Sequence, residues 1–351
     1  MFSHDRCFVI GEVAGAHDGS FMLARAHMDA IAAAGCDAVK FQIHFADVES
    51  TPEETFRVPI PGYRTRTEYW RKTAFREDQW CELARYAASK GLIFMASAFS
   101  TPAVDLLERL QVPMHKVASG ETANLALLDH IAATGKPVII STGLSGIAEI
   151  DRAVERFAKR TPAFAITQCV TQYPTPAARV GLNLMAVFRQ RYGGFAGLSD
   201  HSGTIFPAIA GSYIGMDVLE VHVRLCPDMP GPDAAASLDP AALRQLVEGV
   251  RFTEAMRRNP VDKEQLAAEV APLRELFLQS IYTRKLISRG EALTEAMLEC
   301  RKPMVGIPAS RWHEVLGRVA ARDIEAYRFL EETDLVSREM VETTPASSSH
   351  A

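Results

Sequence analysis

The fold of this chain is decided by the stretch His115–Asn124, which reads HKVASGETAN. An apolar run, residues 110–114, leads into it, and a helical pattern starts at its end. This order predicts a β-strand that ends in a polar turn before a helix, the place where α/β folds put their chemistry. Lys116 and Ser119 beside a helix N-terminus favour an anion such as phosphate or carboxylate. The negative charge of Glu121 would not help to bind an anion, so this residue indicates proton transfer next to the anion. The alternative interpretation of the whole stretch is a solvated loop with ordinary polar residues.

Composition and charge exclude several classes of protein. The length of 351 residues predicts one large and one small domain. A composition of 48% hydrophobic and 23% charged residues is typical of a globular protein. The net charge of -5 gives no electrostatic reason to expect nucleic acid or an anionic membrane as partner. No apolar run reaches the roughly 20 residues that span a bilayer, and no signal-peptide pattern opens the sequence. The six cysteines are scattered without a C-x-x-C pair, so we expect a reduced, cytoplasmic protein.

Short apolar runs alternate with longer amphipathic runs along most of the chain. Strands are predicted at Cys7–Ile10, Ala38–Phe41, Leu92–Ala96, Met114–Val117, Pro137–Ile140, Phe164–Cys169, Gly194–Leu198 and Val218–Val223. Helices are predicted at Met22–Ala34, Glu77–Lys90, Pro102–Leu110, Ala126–Thr134, Ile147–Ala158, Leu182–Tyr192, Phe206–Ile214 and Pro240–Met256. Eight strands, each followed by a helix, favour an α/β fold of the (β/α)8 TIM-barrel type over a doubly wound open sheet.

The periodicity changes after the last of these helices, which indicates further domains. We expect residues 1–262 to form the barrel and residues 263–280 a charged helical linker. Turn signals and β-like pieces predict a small C-terminal domain over residues 281–338. Residues 339–351 are of low complexity and are expected to be disordered. Within the barrel, the long segment 45–75 is predicted to be a solvated surface loop, with a lid as the alternative.

Polar residues stand at all eight predicted strand ends, the face of a barrel that holds its active site. In strand order they are Glu12 and His17, then Lys40, Gln42 and His44, then Ser97, then Lys116, Ser119 and Glu121, then Ser141 and Thr142, then Thr171, Gln172 and Tyr173, then Asp200 and His201, then His222. Two lysines among several hydroxyls predict a bound phosphate or phosphorylated acid. His201 and His222 could ligate a divalent metal, with substrate and water completing the shell of a Mn²⁺-like Lewis acid.

These strand ends together resemble the sialic acid synthase family, which makes nonulosonic acids from phosphoenolpyruvate and an N-acylated aldose. The resemblance covers about residues 7–338, and residues 281–338 resemble the family's antifreeze-like SAF domain. The stretches that carry it are Ile10-Gly11-Glu12, Val39-Lys40-Phe41-Gln42, His115–Asn124, Ser141-Thr142-Gly143, Tyr173-Pro174, Gly197–His201, Pro230-Gly231-Pro232-Asp233, Ser288–Glu291 and Leu316-Gly317.

The resemblance implies a transferase that joins phosphoenolpyruvate, an aldose and water and releases phosphate by C–O cleavage. It implies N-acetylmannosamine or a diamino-sugar relative as acceptor, a divalent metal (Mn²⁺ favoured over Mg²⁺) and a homodimer with swapped SAF domains. The implied site is as follows: catalytic Glu12 and Glu121; phosphoenolpyruvate at Lys40, Ser97, Lys116, Ser119 and Ser141; sugar at Gln42, Tyr173, Asp233 and a partner's Lys302; metal at His201 and His222.

The sequence departs from the family's pattern mainly where the family contacts its sugar. The departures are Ala16, Gln168, Val221, Ala234, Ala235 and Lys302. We therefore expect retained condensation chemistry with an unusual acceptor. Three alternatives remain: another phosphoenolpyruvate-condensing enzyme that makes 3-deoxy-ulosonates, a degenerate barrel kept for binding, and a lyase that uses Lys116 as a Schiff base.

Overall fold

The computed structural model describes residues 2–56, 59–60 and 62–337, and the chain forms two compact units, residues 1–259 and 260–351. In the first unit, eight parallel strands form a closed barrel, which confirms the predicted fold class. The strands are β1 Phe8–Glu12, β2 Ala38–Ile43, β3 Ile93–Ala98, β4 His115–Val117, β5 Val138–Ser141, β6 Phe164–Cys169, β7 Phe195–Asp200 and β8 Val218–His222. The helices are α1 Phe21–Ala33, α2 Ala46–Glu49, α3 Arg66–Thr73, α4 Glu77–Ser89, α5 Thr101–Arg109, α6 Leu125–Ala133, α7 Ile147–Phe157, α8 Leu184–Tyr192, α9 Phe206–Tyr213 and α10 Pro240–Arg258.

Pairing of β1 with β8 closes the barrel and sets the level of the functional side chains. In the parallel register Glu12 lies beside His222 on one side and beside Lys40 on the other. Gln42, which is on β2 like Lys40, is paired with Ser97 of β3, and Ser97 is paired with Lys116 of β4. The polar residues at the strand ends therefore form a continuous ring, as parallel strands that end at one face require.

The barrel interior is apolar below this ring. Its lower layer is a cluster of buried side chains: Phe8, Ile10, Ala38, Met95, Met114, Ile139, Ala165 and Val218. Because side chains alternate between the two faces of a strand, the residue two positions later points to the same side. Ile10 is thus followed by Glu12, Met114 by Lys116 and Val218 by Glu220. The apolar layer excludes water beneath the polar side chains and fixes their height in the barrel.

The predicted turn after β4 forms as expected. The side chain of Asn124 caps α6 by accepting a hydrogen bond from the Leu127 amide, with 3.3 Å between the two atoms. Segment 45–75 differs from its prediction, because it contains α2 and α3 and contributes to the barrel's cavity. Phe45, Tyr69 and Trp70 are side chains of this segment that line that cavity. The prediction of a solvated surface loop was wrong because periodicity does not show which face of a short helix is covered.

The second unit begins with two short helices, α11 Lys263–Glu269 and α12 Ala271–Phe277, where a single charged helical linker was predicted. Its strands β9 Ser280–Thr283 and β10 Leu298–Arg301 pair antiparallel, and helix α13 spans Trp312–Val315. A separate apolar core that includes Ile281, Leu298 and Leu330 holds this unit together. The predicted disordered tail lies outside the described residues. No helix in the described part of the chain combines the length and apolar character needed to cross a membrane.

Candidate active site

The ring of polar side chains surrounds a cavity of about 470 Å³ at the carboxyl ends of the barrel strands. Most of the side chains predicted from the sequence line it: Glu12, Lys40, Gln42, Ser97, Lys116, Ser119, Ser141, Tyr173, His201, His222 and Asp233. Residues from all eight strands or from the loops that follow them thus meet in one place. This is the size of cavity that suits a small-molecule substrate pair.

Two buried lysines and two buried glutamates form the floor of the cavity. The Lys40 ammonium lies 2.7 Å from Oε2 of Glu12 and 3.8 Å from Oε1 of Glu220, and Lys116 Nζ lies 3.3 Å from Oε2 of Glu220. Burial alone would raise the pKa of Glu220, but Lys116 and Lys40 hold it at about 2, so this residue is a carboxylate. At Glu12, burial outweighs the attraction of Lys40 and raises the carboxyl pKa. Glu12 is therefore the floor carboxyl group that can exchange a proton.

Glu220 is a site residue that the sequence prediction missed. It lies in β8, two residues before His222, and both side chains are buried on the same side of the strand. The hydroxyl of Ser199 donates to its Oε1 atom over 3.1 Å. A glutamate inside an otherwise apolar strand was the available signal, because a buried carboxylate needs a cationic partner. Two lysines supply that charge, so Glu220 links the two cationic residues of the floor.

Hydroxyl groups accompany both lysines. The Lys40 ammonium donates to Ser97 Oγ over 3.1 Å, and the Lys116 ammonium donates to Ser141 Oγ over 2.7 Å. The Ser141 hydroxyl is also 2.9 Å from Oγ1 of Thr167, a second residue that the sequence prediction missed. Ammonium and hydroxyl groups together can donate several hydrogen bonds to the oxygens of a phosphate or carboxylate.

Gly143 lies beside the hydroxyl groups of Ser119 and Thr171, and its lack of a side chain leaves space next to them. Its amide donates to Ser119 Oγ over 3.1 Å. A Cβ atom at Gly143 would lie 2.7 Å from Oγ1 of Thr171 and 2.9 Å from Oγ of Ser119, closer than real Cβ contacts. The buried Thr171 hydroxyl has no hydrogen-bond partner in the described structure. Only a glycine leaves these hydroxyls room to face a ligand.

His201 and His222 lie side by side in the cavity lining, with 5.2 Å between their ring centroids. The Nδ1–H group of His201 donates to the Val170 carbonyl over 2.8 Å, so its Nε2 atom is unprotonated and accepts a hydrogen bond from the Tyr173 hydroxyl over 3.0 Å. Burial lowers the pKa of His201 to about 3, which keeps the imidazole neutral. His222 Nδ1 lies 3.9 Å from Oδ2 of Asp233. Within the described residues, no cluster of three or more His, Cys, Asp or Glu could hold a metal by itself.

Part of the cavity wall is aromatic. Segment 45–75 and its neighbours supply the rings, namely those of Phe45, Phe56, Tyr69, Trp70, Phe75 and Phe99. Tyr69 is fixed by a hydrogen bond from its hydroxyl to the Gly15 carbonyl, at 3.1 Å. The lining of the cavity therefore consists of a charged half, supplied by the strand ends, and an aromatic half, supplied mainly by this segment.

Two predicted site residues are not part of this cavity. Glu121 is half-buried in the turn after β4, where its carboxylate accepts a hydrogen bond from Asn124 Nδ2 over 2.8 Å, and it does not line the cavity. Burial raises its pKa, so it remains a candidate for proton transfer. Lys302 belongs to the second unit, where its ammonium lies 5.4 Å from the centroid of the Phe277 ring. The roles of both residues stay predictions.

Comparison with known proteins follows the same division of the chain. The NeuB family profile matches residues 27–262 and the SAF domain profile matches residues 279–336. The chain belongs to the NeuB family. The chain is 30% identical over 340 residues to the N-acetylneuraminate-9-phosphate synthase of Homo sapiens, an alignment that covers 96% of this chain and 93% of the relative.

Two further relatives of this NeuB protein come from bacteria. The N,N'-diacetyllegionaminic acid synthase of Legionella pneumophila is 30% identical over 334 residues, covering 91% of this chain and 92% of the relative. Among solved structures, the N-acetylneuraminic acid synthetase of Leptospira borgpetersenii in complex with citrate superposes with a TM-score of 0.68 at 26% identity, over 77% of this chain and 93% of that one. The family, the barrel and the SAF domain predicted from the sequence are thus confirmed.

Proposed function

We propose that this protein is a nonulosonic acid synthase that condenses phosphoenolpyruvate with an N-acylated aldose. One observation carries the proposal: two buried lysines, each with a serine hydroxyl, share Glu220 at the strand ends of a NeuB-family barrel. The named relatives make sialic and legionaminic acids, so the same reaction class is supported for this chain. A phosphorylated carboxylic acid meets the ammonium and hydroxyl donors of the floor.

Phosphoenolpyruvate fits the charged half of the cavity. Its phosphate and carboxylate bring at least two negative charges, which Lys40 and Lys116 would share with the hydroxyls of Ser97, Ser119 and Ser141. The lysines already have carboxylate partners in Glu12 and Glu220, so the bound anion adds negative charge to a balanced floor. Proton uptake by Glu12 would relieve that charge, which its buried position makes favourable.

The histidine pair fits a divalent metal, with Mn²⁺ preferred over Mg²⁺. The tautomer of His201 is fixed by its hydrogen bond to Val170, which leaves an imidazole nitrogen available as a ligand. Two nitrogen ligands suit Mn²⁺ better than the harder Mg²⁺. When bound, such an ion would act as a Lewis acid on the aldehyde of the open-chain sugar. His201 and His222 would hold it, while substrate and water complete the shell.

The chain's own residues would orient the reactants and handle protons. In the condensation, C3 of phosphoenolpyruvate forms a bond with the aldehyde carbon, and the aldehyde oxygen gains a proton. Water adds at C2, loses a proton, and the C2–O bond to phosphate breaks. Glu12 lines the cavity between Lys40 and Gln42 and could exchange these protons. Glu121 remains the alternative for the proton of the attacking water.

The aromatic half of the cavity would receive the acceptor. Aromatic rings pack against the apolar face of a sugar and against N-acyl methyl groups. Tyr173 and Asp233, which line the same cavity, would donate and accept hydrogen bonds with sugar hydroxyls. This arrangement supports N-acetylmannosamine or a diamino-sugar relative as acceptor. None of the departures Ala16, Gln168, Val221, Ala234 and Ala235 is among the described residues that line the cavity, so the choice between them would fall to the aromatic rings, Tyr173 and Asp233.

Assembly and location complete the proposal. A homodimer with swapped SAF domains would bring Lys302 of the second unit to the other subunit's acceptor, in the place where the family has arginine. Lysine offers a point charge there rather than a planar pair of donors. All six cysteines have free thiols, which supports a cytoplasmic protein. Analytical ultracentrifugation tests the dimer, and an active monomer would contradict it.

The decisive experiment measures phosphate release from phosphoenolpyruvate with Mn²⁺ and a panel of acceptor aldoses. We expect release only with an N-acylated aldose, and product formation confirmed by mass spectrometry. Lys116→Met should abolish phosphoenolpyruvate binding, whereas Lys136→Met, which removes a lysine outside the cavity, should not. Binding of phosphoenolpyruvate without turnover on any acceptor would favour the degenerate barrel, and a borohydride-trapped adduct with pyruvate would favour the Schiff-base lyase.

A further inference from the structure

His44, the residue after β2, is held on four sides at the wall of the cavity. Its Nδ1 atom lies 2.8 Å from Oε2 of Glu49, and its Nε2 atom lies 3.2 Å from Oε1 of Gln42. The Trp70 and Phe99 rings stack on it with centroid distances of 4.4 Å and 4.3 Å and interplanar angles of 10° and 21°. Two rings cannot share one face of an imidazole at these distances, so they cover opposite faces. The imidazole has one orientation and a full set of partners.

His44 is the middle of a chain of hydrogen bonds that ends at the catalytic floor. Gln42 donates from Nε2 to Oε1 of Glu12 over 3.1 Å. At the other end, Oε1 of Glu49 accepts the Phe45 amide over 2.6 Å, which fixes that carboxylate on α2. The order is therefore Glu49, His44, Gln42 and Glu12. This chain joins segment 45–75 to the carboxyl group proposed to exchange protons.

The donors and acceptors of this chain determine the protonation of His44. The carboxylate of Glu49 only accepts hydrogen bonds, so Nδ1 must carry a proton. The amide nitrogen of Gln42 faces the carboxylate of Glu12, so its carbonyl oxygen faces His44, and Nε2 must carry a proton as well. His44 is then an imidazolium ion, paired with Glu49. The π faces of Trp70 and Phe99 stabilise that positive charge from both sides.

We propose that His44 and Glu49 are positioning residues for the reaction, which hold the Gln42 amide in the one orientation that binds Glu12. The inference rests on the proposed function. With the imidazolium in place, the Gln42 amide points its NH₂ group to the floor, where one N–H group binds Glu12. Because Gln42 lines the cavity, the second N–H group of that nitrogen can donate to an oxygen of the acceptor. The imidazolium is thus the second group, besides Glu12, that favours this orientation of the amide.

The charged groups near His44 come from several elements. Glu49 lies on α2, and Glu12 lies on β1 beyond Gln42. Arg66 on α3 lies 4.6 Å above the Trp70 ring and is paired with Glu54 over 2.7 Å, so its charge is compensated. His17 adds no competing charge, because burial and the neighbouring histidines 27 and 44 lower its pKa to about 4.

Two variants separate a positioning role from a structural one. Glu49→Gln keeps an acceptor oxygen but removes the charge, and His44→Gln removes the imidazolium. We expect each to lower kcat/KM for the acceptor by about 10-fold to 100-fold, as loss of one charge-assisted hydrogen bond would. The KM for phosphoenolpyruvate should stay within about twofold, because Lys40 and Lys116 are untouched.

The matched control is His130→Gln, since Nε2 of His130 lies 2.8 Å from Oδ1 of Asp105 in a half-exposed pair outside the cavity. It should change neither KM. The proposal would be overturned if the two test variants lost kcat/KM equally for acceptor and phosphoenolpyruvate and also had a lower Tm. That result would mean that His44 only supports the fold.

Nuclear magnetic resonance of ¹⁵N-histidine gives a readout that does not need activity. At neutral pH, both ring nitrogens of His44 should carry protons, and the signals are assigned by their loss in His44→Gln. In Glu49→Gln one of the two protons should be lost. A wild-type His44 with one unprotonated nitrogen would overturn the proposal, even in an active enzyme. If the wild type releases no phosphate with any acceptor, the proposed function fails. The resonance result would still decide whether His44 carries both protons in the series of hydrogen bonds from Glu49 to Glu12.

Discussion

Removing the charge of Glu220 should destabilise the enzyme in the absence of substrate. It should also increase the stabilisation that the enzyme receives from binding its anionic substrate. Glu220 lies 3.3 Å from Lys116 and 3.8 Å from Lys40 and is buried. At an effective dielectric constant of about 20, these contacts correspond to gross attractions of about 5 and about 4 kcal/mol. Part of this is offset by desolvation of the carboxylate, and breaking a buried ion pair costs about 3–5 kcal/mol.

The variant Glu220→Gln keeps the shape of the side chain. For a domain of this size, a loss of about 3–5 kcal/mol lowers the Tm by roughly 6–20 °C. Phosphoenolpyruvate should then raise the Tm of the variant by more than that of the wild type, because the floor has gained one net positive charge.

Differential scanning fluorimetry over a titration of phosphoenolpyruvate measures both effects. The control is Glu77→Gln, which removes an exposed carboxylate that pairs with Arg109 over 2.9 Å, and its Tm should hardly change. An unchanged Tm in Glu220→Gln without ligand would refute the view that this carboxylate balances the lysines. A lower Tm with a smaller response to phosphoenolpyruvate than in the wild type would show that the lysines are not its binding site.

Three other predictions test the remaining parts of the site. Glu220 has its pKa lowered from 4.5 to about 2, so it stabilises the fold fully above pH 4.5 and loses this effect as the pH falls toward 2. The difference in unfolding free energy between the wild type and Glu220→Gln, measured with urea, should therefore narrow in that range. Gly143→Ala should raise the KM for phosphoenolpyruvate roughly tenfold, because the added methyl group occupies the space next to Thr171. Gly146→Ala is the control. An unchanged KM in Gly143→Ala would mean that the hydroxyls beside Gly143 do not bind phosphoenolpyruvate. His222→Ala should lose the bound Mn²⁺ detected by electron paramagnetic resonance, and full Mn²⁺ binding in this variant and in His201→Ala would refute the ligand assignment.

The sequence determined the barrel and most of its site because both depend on local patterns. A buried parallel strand is a short apolar run, and its polar end is visible in the sequence even without a structure. The helix predicted at Ala126–Thr134 spans Leu125–Ala133 and is capped by Asn124. Strand limits moved by one or two residues, for example from Leu92–Ala96 to Ile93–Ala98.

Only the tertiary structure decided which of these residues work together. Glu220 becomes part of the floor because β8 lies near the lysines of β2 and β4, a relation that no spacing in the chain shows. Segment 45–75 changed from a predicted surface loop to a cavity wall because its aromatic residues contact residues distant in sequence: Trp70 stacks on His44, and the Tyr69 hydroxyl binds the Gly15 carbonyl. The orientation of Gln42 depends likewise on His44 and Glu49. Periodicity determines which way a side chain points, whereas packing across the barrel determines the group that it meets, and that group sets its charge and its role.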